Sequence, residues 1–263
     1  MNIQLKAKNA LICGSSAGIG KACAVLLAAA GANITLLARN QEKLQAVLKE
    51  LDQSQGQMHQ FIIADFSNPE QVKEAVTQHL NSSKIAYHIL VNNTGGPAAG
   101  LAADANETDF LCAFNSHLIC NHIMAKALIP GMKENHFGRI INIISTSVKV
   151  PLNGLGVSNT IRGAVASWAK TLANELGQFN ITVNNVLPGA TATERLDAII
   201  NSKSVKAAKS KEEISVAMIN EVPMKRFAQA EEIAQAVCFL ASDVASYING
   251  INLPVDGGRT PSL

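Results

Sequence analysis

The sequence predicts a doubly wound α/β fold, a parallel sheet of about seven strands with helices on both faces. Short apolar runs alternate with longer helical patterns along the chain, which is the signature of βαβ units. The 263 residues are 48% hydrophobic but only 4% aromatic. The core is therefore built from Ala, Ile, Leu and Val, as a sheet buried on both faces requires. No Pro/Gly/Ser-rich linker interrupts the chain, so residues 1–263 read as a single domain.

Strands are expected at residues 10–13, 34–37, 61–64, 89–91, 140–144 and 181–187, with a seventh at 251–255. Between the first two, residues 20–30 are almost all Ala, Leu and Val and end at Gly31, a buried helix with a glycine stop. Residues from about 196 to 221 break the rhythm, being rich in Lys, Ser and Glu between the sixth strand and Val222-Pro223. An insertion there would overhang the carboxyl ends of the strands, as a lid or as a helical pair that only packs.

The bulk properties narrow the function. With 22 basic and 20 acidic residues and a net charge of +2, the chain has no large single-sign field, which disfavours nucleic-acid partners and points to a small-molecule ligand. The five cysteines, Cys13, Cys23, Cys112, Cys120 and Cys238, lack metal-ligand spacing and fall in apolar runs, so buried free thiols are expected. No His/Cys/Asp cluster has metal spacing either. The basic opening residues 1–8 precede an apolar run that stops at Cys13, too short for a signal segment or a membrane span, and a cytoplasmic protein is expected.

The first strand leads into Gly14-Ser15-Ser16-Ala17-Gly18-Ile19-Gly20, a glycine turn opening a helix. That arrangement brings backbone N–H groups and a helix N-terminus against a pyrophosphate. Arg39 closes the second strand, where a guanidinium offers a bidentate partner for the 2′-phosphate of NADP and an acidic residue would have favoured NAD. NADP(H) is thus the expected cofactor, ahead of NAD(H).

The glycine turn, together with Ser145-Thr146-Ser147 and Ser158-Asn159-Thr160-Ile161-Arg162, resembles the short-chain dehydrogenases/reductases, whose Rossmann domain the doubly wound pattern would form. The resemblance runs through Asp65-Phe66, Val91-Asn92-Asn93-Thr94-Gly95-Gly96, Pro188-Gly189-Ala190-Thr191-Ala192-Thr193 and Val255-Asp256-Gly257-Gly258, and so spans essentially the whole chain. It implies an adenine contact at Asp65 and Phe66, close backbone approach at Asn93 and Gly95, and a nicotinamide loop at Pro188, Gly189, Thr191 and Thr193. The family's Thr before the first glycine is Cys13 here.

The family's reaction residues are Tyr, Lys, Ser and Asn. In the register set by Phe110 and Leu128-Ile129-Pro130, these roles fall on Ser158, Arg162, Ser145 and His117. Only the serine is retained, and no tyrosine lies between Tyr87 and Tyr247. An aliphatic hydroxyl titrates several units above a phenol, so Ser158 is no equivalent acid, and Arg162 stays charged. His117, whose ordinary pKa suits neutral proton transfer, is either a relay or a structural histidine. Ser158 lies in Val157-Ser158-Asn159 without flanking glycines, against a hydrolase nucleophile at that position.

Two functions fit these residues. One is an NADPH-dependent reductase of the 3-oxoacyl-carrier-protein-reductase type with an altered proton source, acting on a carbonyl or acyl thioester. The other is a non-catalytic NADP(H)-binding sensor or partner subunit. The resemblance also implies a homo-oligomer, dimer or tetramer, through the helices near 115–128 and 163–176.

Overall fold

Aliphatic runs of the kind expected to pair on both edges do so. In the computed structural model, which describes residues 3–262, seven strands form one sheet. They are β1 (Asn9–Cys13), β2 (Asn33–Ala38), β3 (Gln60–Ile63), β4 (Ile89–Asn92), β5 (Gly138–Ile143), β6 (Ile181–Pro188) and β7 (Asn252–Val255). Every pairing is parallel, in the order β3-β2-β1-β4-β5-β6-β7. The predicted strands are all present, with ends displaced by a residue or two.

Side chains alternate across the pleat and divide the core into two layers. Ala10, Ile12, Ile34 and Leu36 face α1 (Gly18–Ala29), α2 (Gln41–Glu50) and α9 (Ala230–Ala241). Leu11, Cys13, Leu37 and Leu90 face α3 (Pro69–Ser83), α5 (Cys120–Glu134) and α6 (Gly156–Leu176). The α1 helix ends as expected: Ala30 closes it and Gly31, at φ +98°, turns the chain toward β2 in a conformation that side chains resist. Four cysteines are buried free thiols, whereas Cys112 is exposed on α4 (Glu107–Phe114). Its apolar neighbours Leu111 and Phe114 are exposed as well, so the run around it is helical surface and not core.

The helix expected from about residue 115 is interrupted. Residues Asn115–Ile119 form a π turn between α4 and α5. The extra residue in that turn rotates the downstream side chains about the helix axis, and the turn carries His117 into the interior, where it is 2% exposed.

A row of amides crosses the right half of the sheet. Asn92 donates to Asn142, Asn142 to Asn185 and Asn185 to Asn252, at 2.8 to 2.9 Å, linking β4, β5, β6 and β7. Neighbouring amides satisfy one another along the row except at its β4 end, where the side-chain oxygen of Asn92 is buried without a partner.

Residues 196–221 contain most of α7 (Glu194–Ala207) and all of α8 (Lys211–Asn220). The pair packs on its own small cluster of Leu196, Ile200, Ile214 and Met218.

Candidate functional site

From β1 the chain runs outward to β2 and β3, then returns to the other side of β1 as β4. The loops leaving β1 and β4 part in opposite directions, which opens a crevice at the strands' carboxyl ends. A cleft of about 670 Å³ occupies that place. Its lining runs from the β1–α1 turn, past the ends of β4, β5 and β6, to α7 and α8.

At one end stands the glycine turn. Gly14 and Gly18 have φ of +59° and +53°. A Cβ on Gly14 would lie 2.6 Å from the Asn93 carbonyl oxygen, and one on Gly20 would run into the carbonyl of Gly14. Asn93 fastens the turn from across the crevice, its amide donating to Cys13 and Gly14 at 3.4 and 3.3 Å. The first turn of α1 then has no side-chain cap and no acidic residue, and Ala17, Gly18 and Ile19 line the cleft. Free N–H groups and the positive helix end therefore face the space where a diphosphate would fit. Ser15 turns the other way: its buried hydroxyl accepts from Leu37 N–H at 2.9 Å and clasps the turn to β2. Ser16 is half-buried and lies outside the cleft lining.

Beyond the turn, Arg39 projects from the end of β2 with its side chain 79% exposed, 3.8 Å from Asp65. The Ser67 backbone N–H, aided by Arg39, holds the Asp65 carboxyl below its ordinary range. An exposed guanidinium fork, only loosely paired with Asp65, suits a phosphate. Phe66 does not flank this space; it is buried on the α3 side of the sheet. Gly95 is open, with nothing near the position of a Cβ.

The opposite end gathers the residues expected to carry the chemistry. Ser145 follows β5, and its hydroxyl accepts from Ser147 N–H at 3.1 Å, shaping a tight turn. Ser158, in the first turn of α6, lines the cleft, and its hydroxyl makes no hydrogen bond among the described residues. One turn on, Arg162 is buried, with one Nη donating to the Ile143 carbonyl at 2.9 Å and Nε lacking an acceptor. Burial, and then the charge of Arg195, bring its pKa down to about 10, so it is cationic at neutral pH. His117 is enclosed behind this group and does not line the cleft. Burial, Arg162 and Arg195 push its pKa down to about 2, and its Nδ1 has no partner. Tyr87 is fixed in the core by Thr35 and His79, and Tyr247 is fully exposed; neither reaches the cleft.

The roof comes from the end of β6. The hydroxyl of Thr191 donates to the Gly189 carbonyl, and that of Thr193 donates to the Thr191 carbonyl. Thr193 also caps α7 and sets its methyl 3.3 Å from where a Cβ on Gly18 would be. Pro188 and Gly189 line the cleft beneath them.

Sequence reasoning missed Arg195. From the first turn of α7 it reaches over Gly96 to donate to the Pro97 carbonyl at 2.5 Å, spanning the cleft from α7 to the opposite wall. A cation in the first turn of a helix opposes the helix dipole, and that local mismatch was the available signal. Among the described residues no group of acidic, His or Cys side chains could hold a metal, and no helix is long and apolar enough to cross a membrane.

A family model described as enoyl-(acyl carrier protein) reductase matches residues 14–260. The chain is 29% identical over 256 residues to the NADPH-dependent reductase BacG of Bacillus subtilis, covering 97% of this chain and 99% of that protein. It is 32% identical to the 3-oxoacyl-[acyl-carrier-protein] reductase FabG of Pseudomonas aeruginosa, covering 97% and 98%. The L-sorbose reductase of Gluconobacter frateurii, solved with NADPH and L-sorbose, superposes with a TM-score of 0.93 at 31% identity over the whole of both chains.

Proposed function

The chain belongs to the short-chain dehydrogenase/reductase family, and from that premise we propose that it is an NADP(H)-dependent oxidoreductase reducing a ketone or 3-oxoacyl thioester with a proton donor other than tyrosine. The observation that carries this reading is the cofactor cradle: a glycine turn pressed against Asn93, an uncapped α1 N-terminus, and an exposed Arg39 beyond it. NADP(H) fits these residues in both charge and shape, and NADPH appears in the names of the BacG relative and of the sorbose reductase complex.

When bound, the nicotinamide supplies the hydride. This chain's own part is to place a carbonyl and deliver a proton. Thr191 and Thr193 brace the loop under the roof, and the guanidinium of Arg162, which borders the cleft, supplies positive charge beside ribose or substrate oxygen. Ser145 and Ser158 hold the carbonyl oxygen by hydrogen bonds. Ser158 passes a proton drawn from solvent and does not act as an acid in its own right, because its hydroxyl is too weak. Burial and the two guanidinium groups keep His117 neutral at physiological pH, so it is no proton donor to the substrate.

A second reading has its own support. No phenol reaches the cleft and its one nearby imidazole is held unprotonated, which suits a protein that binds NADP(H) and transmits its redox state without turnover. Lid closure by α7 and α8, and assembly as a dimer or tetramer through α5 and α6, belong to either reading.

Titration with NADPH and NADH by fluorescence, followed by absorbance of the reduced cofactor with ketones and 3-oxoacyl thioesters, separates the two. The reductase reading expects NADPH oxidation, with Ser158→Ala lowering kcat by about 10²-fold while leaving the NADPH Kd within about twofold. Tight NADPH binding with no oxidation of any substrate would sink it in favour of the binding protein.

A further inference from the structure

We propose that the reaction end of the cleft is built for a carbonyl substrate that carries a carboxylate, held between Arg195 of α7 and Arg162 of α6. This inference rests on the reductase reading and names its substrate class.

The cleft is lined by five cations, Arg162, Arg195, Lys203, Lys206 and Arg259, and by two acids, Glu194 and Glu221. Both acids are already paired: Glu221 with Arg259 inside the lining, and Glu194 with Lys43 at 3.9 Å outside it. Among the described residues, Arg162, Arg195, Lys203 and Lys206 form no ion pair. The exposed lysines need none, because water solvates them. Arg162 is another matter. It is more than nine-tenths buried, it borders the cleft, and its Nε–H has no acceptor. A buried cation without a counter-charge is costly, and the cost falls when an anion arrives.

Arg195 approaches the same place from the opposite wall, and its charge is felt by both Arg162 and His117. Neither guanidinium stabilises the other. Nor does Arg195 serve its own helix, where a cation in the first turn is locally unfavourable. Its Nη2 already holds a carbonyl oxygen, that of Pro97, and a carboxylate oxygen is a stronger acceptor for the same fork.

The cofactor's own anions have other hosts. The α1 N-terminus receives a diphosphate and Arg39 a 2′-phosphate, whereas Arg162 stands beside Ser145 and Ser158. A planar two-oxygen anion matches paired guanidinium forks, and its carbonyl would then lie toward the two serines.

The test uses the full-length protein loaded with NADPH, whose fluorescence first reports cofactor binding. Benzoate and benzamide are then titrated as a charged and neutral pair of equal size. Turnover is compared between benzoylformate and its methyl ester, the ester being the more electrophilic ketone. Benzoate is expected to bind roughly tenfold or more tighter than benzamide, and the acid to show a similarly higher kcat/KM than its ester. Arg195→Gln should remove both preferences and Arg195→Lys should keep part of them. Equal binding of benzoate and benzamide overturns the proposal. So does an Arg195→Gln protein that binds NADPH tenfold more weakly while keeping the benzoate preference, since the guanidinium then serves the cofactor. Selective benzoate binding without any turnover supports the anion site and defeats the reductase reading instead. Where NADPH itself fails to bind, the same benzoate and benzamide comparison on the free protein decides the anion site.

Discussion

His117 is a histidine that the fold keeps from gaining its proton. Its pKa falls from 6.5 to about 2 on burial beside two guanidinium groups. The unfolded chain therefore binds a proton below about pH 6.5 that the folded chain refuses. The stability contribution is fully present above that pH and is lost as the pH falls from there toward 2. His117→Gln, a neutral side chain able to hydrogen bond, should flatten the acid side of the stability profile. The difference should approach 1.4 kcal/mol per pH unit below about pH 6, measured by urea unfolding of both proteins at several pH values. Parallel profiles would mean that His117 titrates normally. Counting from Leu128-Ile129-Pro130 was enough to locate this histidine near Arg162. Its protonation was not legible, because that depends on burial in a π turn and on Arg195, which lies far away in sequence. Ser15 shows a similar limit: the glycine pattern places it in the turn, but only the tertiary fold turns its hydroxyl toward Leu37.

At the scale of elements, the sequence carried most of the strands because aliphatic runs with glycine stops have few other uses in a chain this poor in aromatics. The amide row is the exception. Asparagine is depleted in strands, and each partner lies 43 to 67 residues away, so no local pattern announces the row. Asn142 sits in its middle, donating to one neighbour and accepting from the other. Asn142→Leu, close in volume, would leave the Asn92 amide N–H and the Asn185 carbonyl oxygen buried without partners. At about 1–3 kcal/mol for each, a loss of roughly 2–6 kcal/mol is expected in denaturant unfolding. A loss below about 1 kcal/mol would show that water replaces the missing bonds. The break in rhythm at residues 196–221 was visible from composition alone, since Lys, Ser and Glu cannot extend the core. The segment's self-contained cluster of Leu196, Ile200, Ile214 and Met218 needed the structure.

For the whole molecule, strand order β3-β2-β1-β4 makes one crevice, and the proposed cofactor cradle would span it from Arg39 to the roof of β6. A ligand bridging those parts binds the folded chain alone. At about one hundred times its Kd, NADPH should add roughly 2.7 kcal/mol, which for a chain of this size raises Tm by about 5–10 °C. NADH at the same concentration should give about half that shift or less, since Arg39 then has no phosphate to hold. Equal shifts would remove the assigned preference. The amide row has one more consequence. Alanine, isoleucine, leucine and valine pack almost interchangeably, so an aliphatic parallel sheet has little to tell a strand that it has slipped. A slip of one residue in β5 or β7, each of which has a single asparagine, would turn that asparagine to the opposite face and break the row where it stood. The four amides thus work as a checksum on assembly, rejecting misaligned sheets that hydrophobic packing alone would accept.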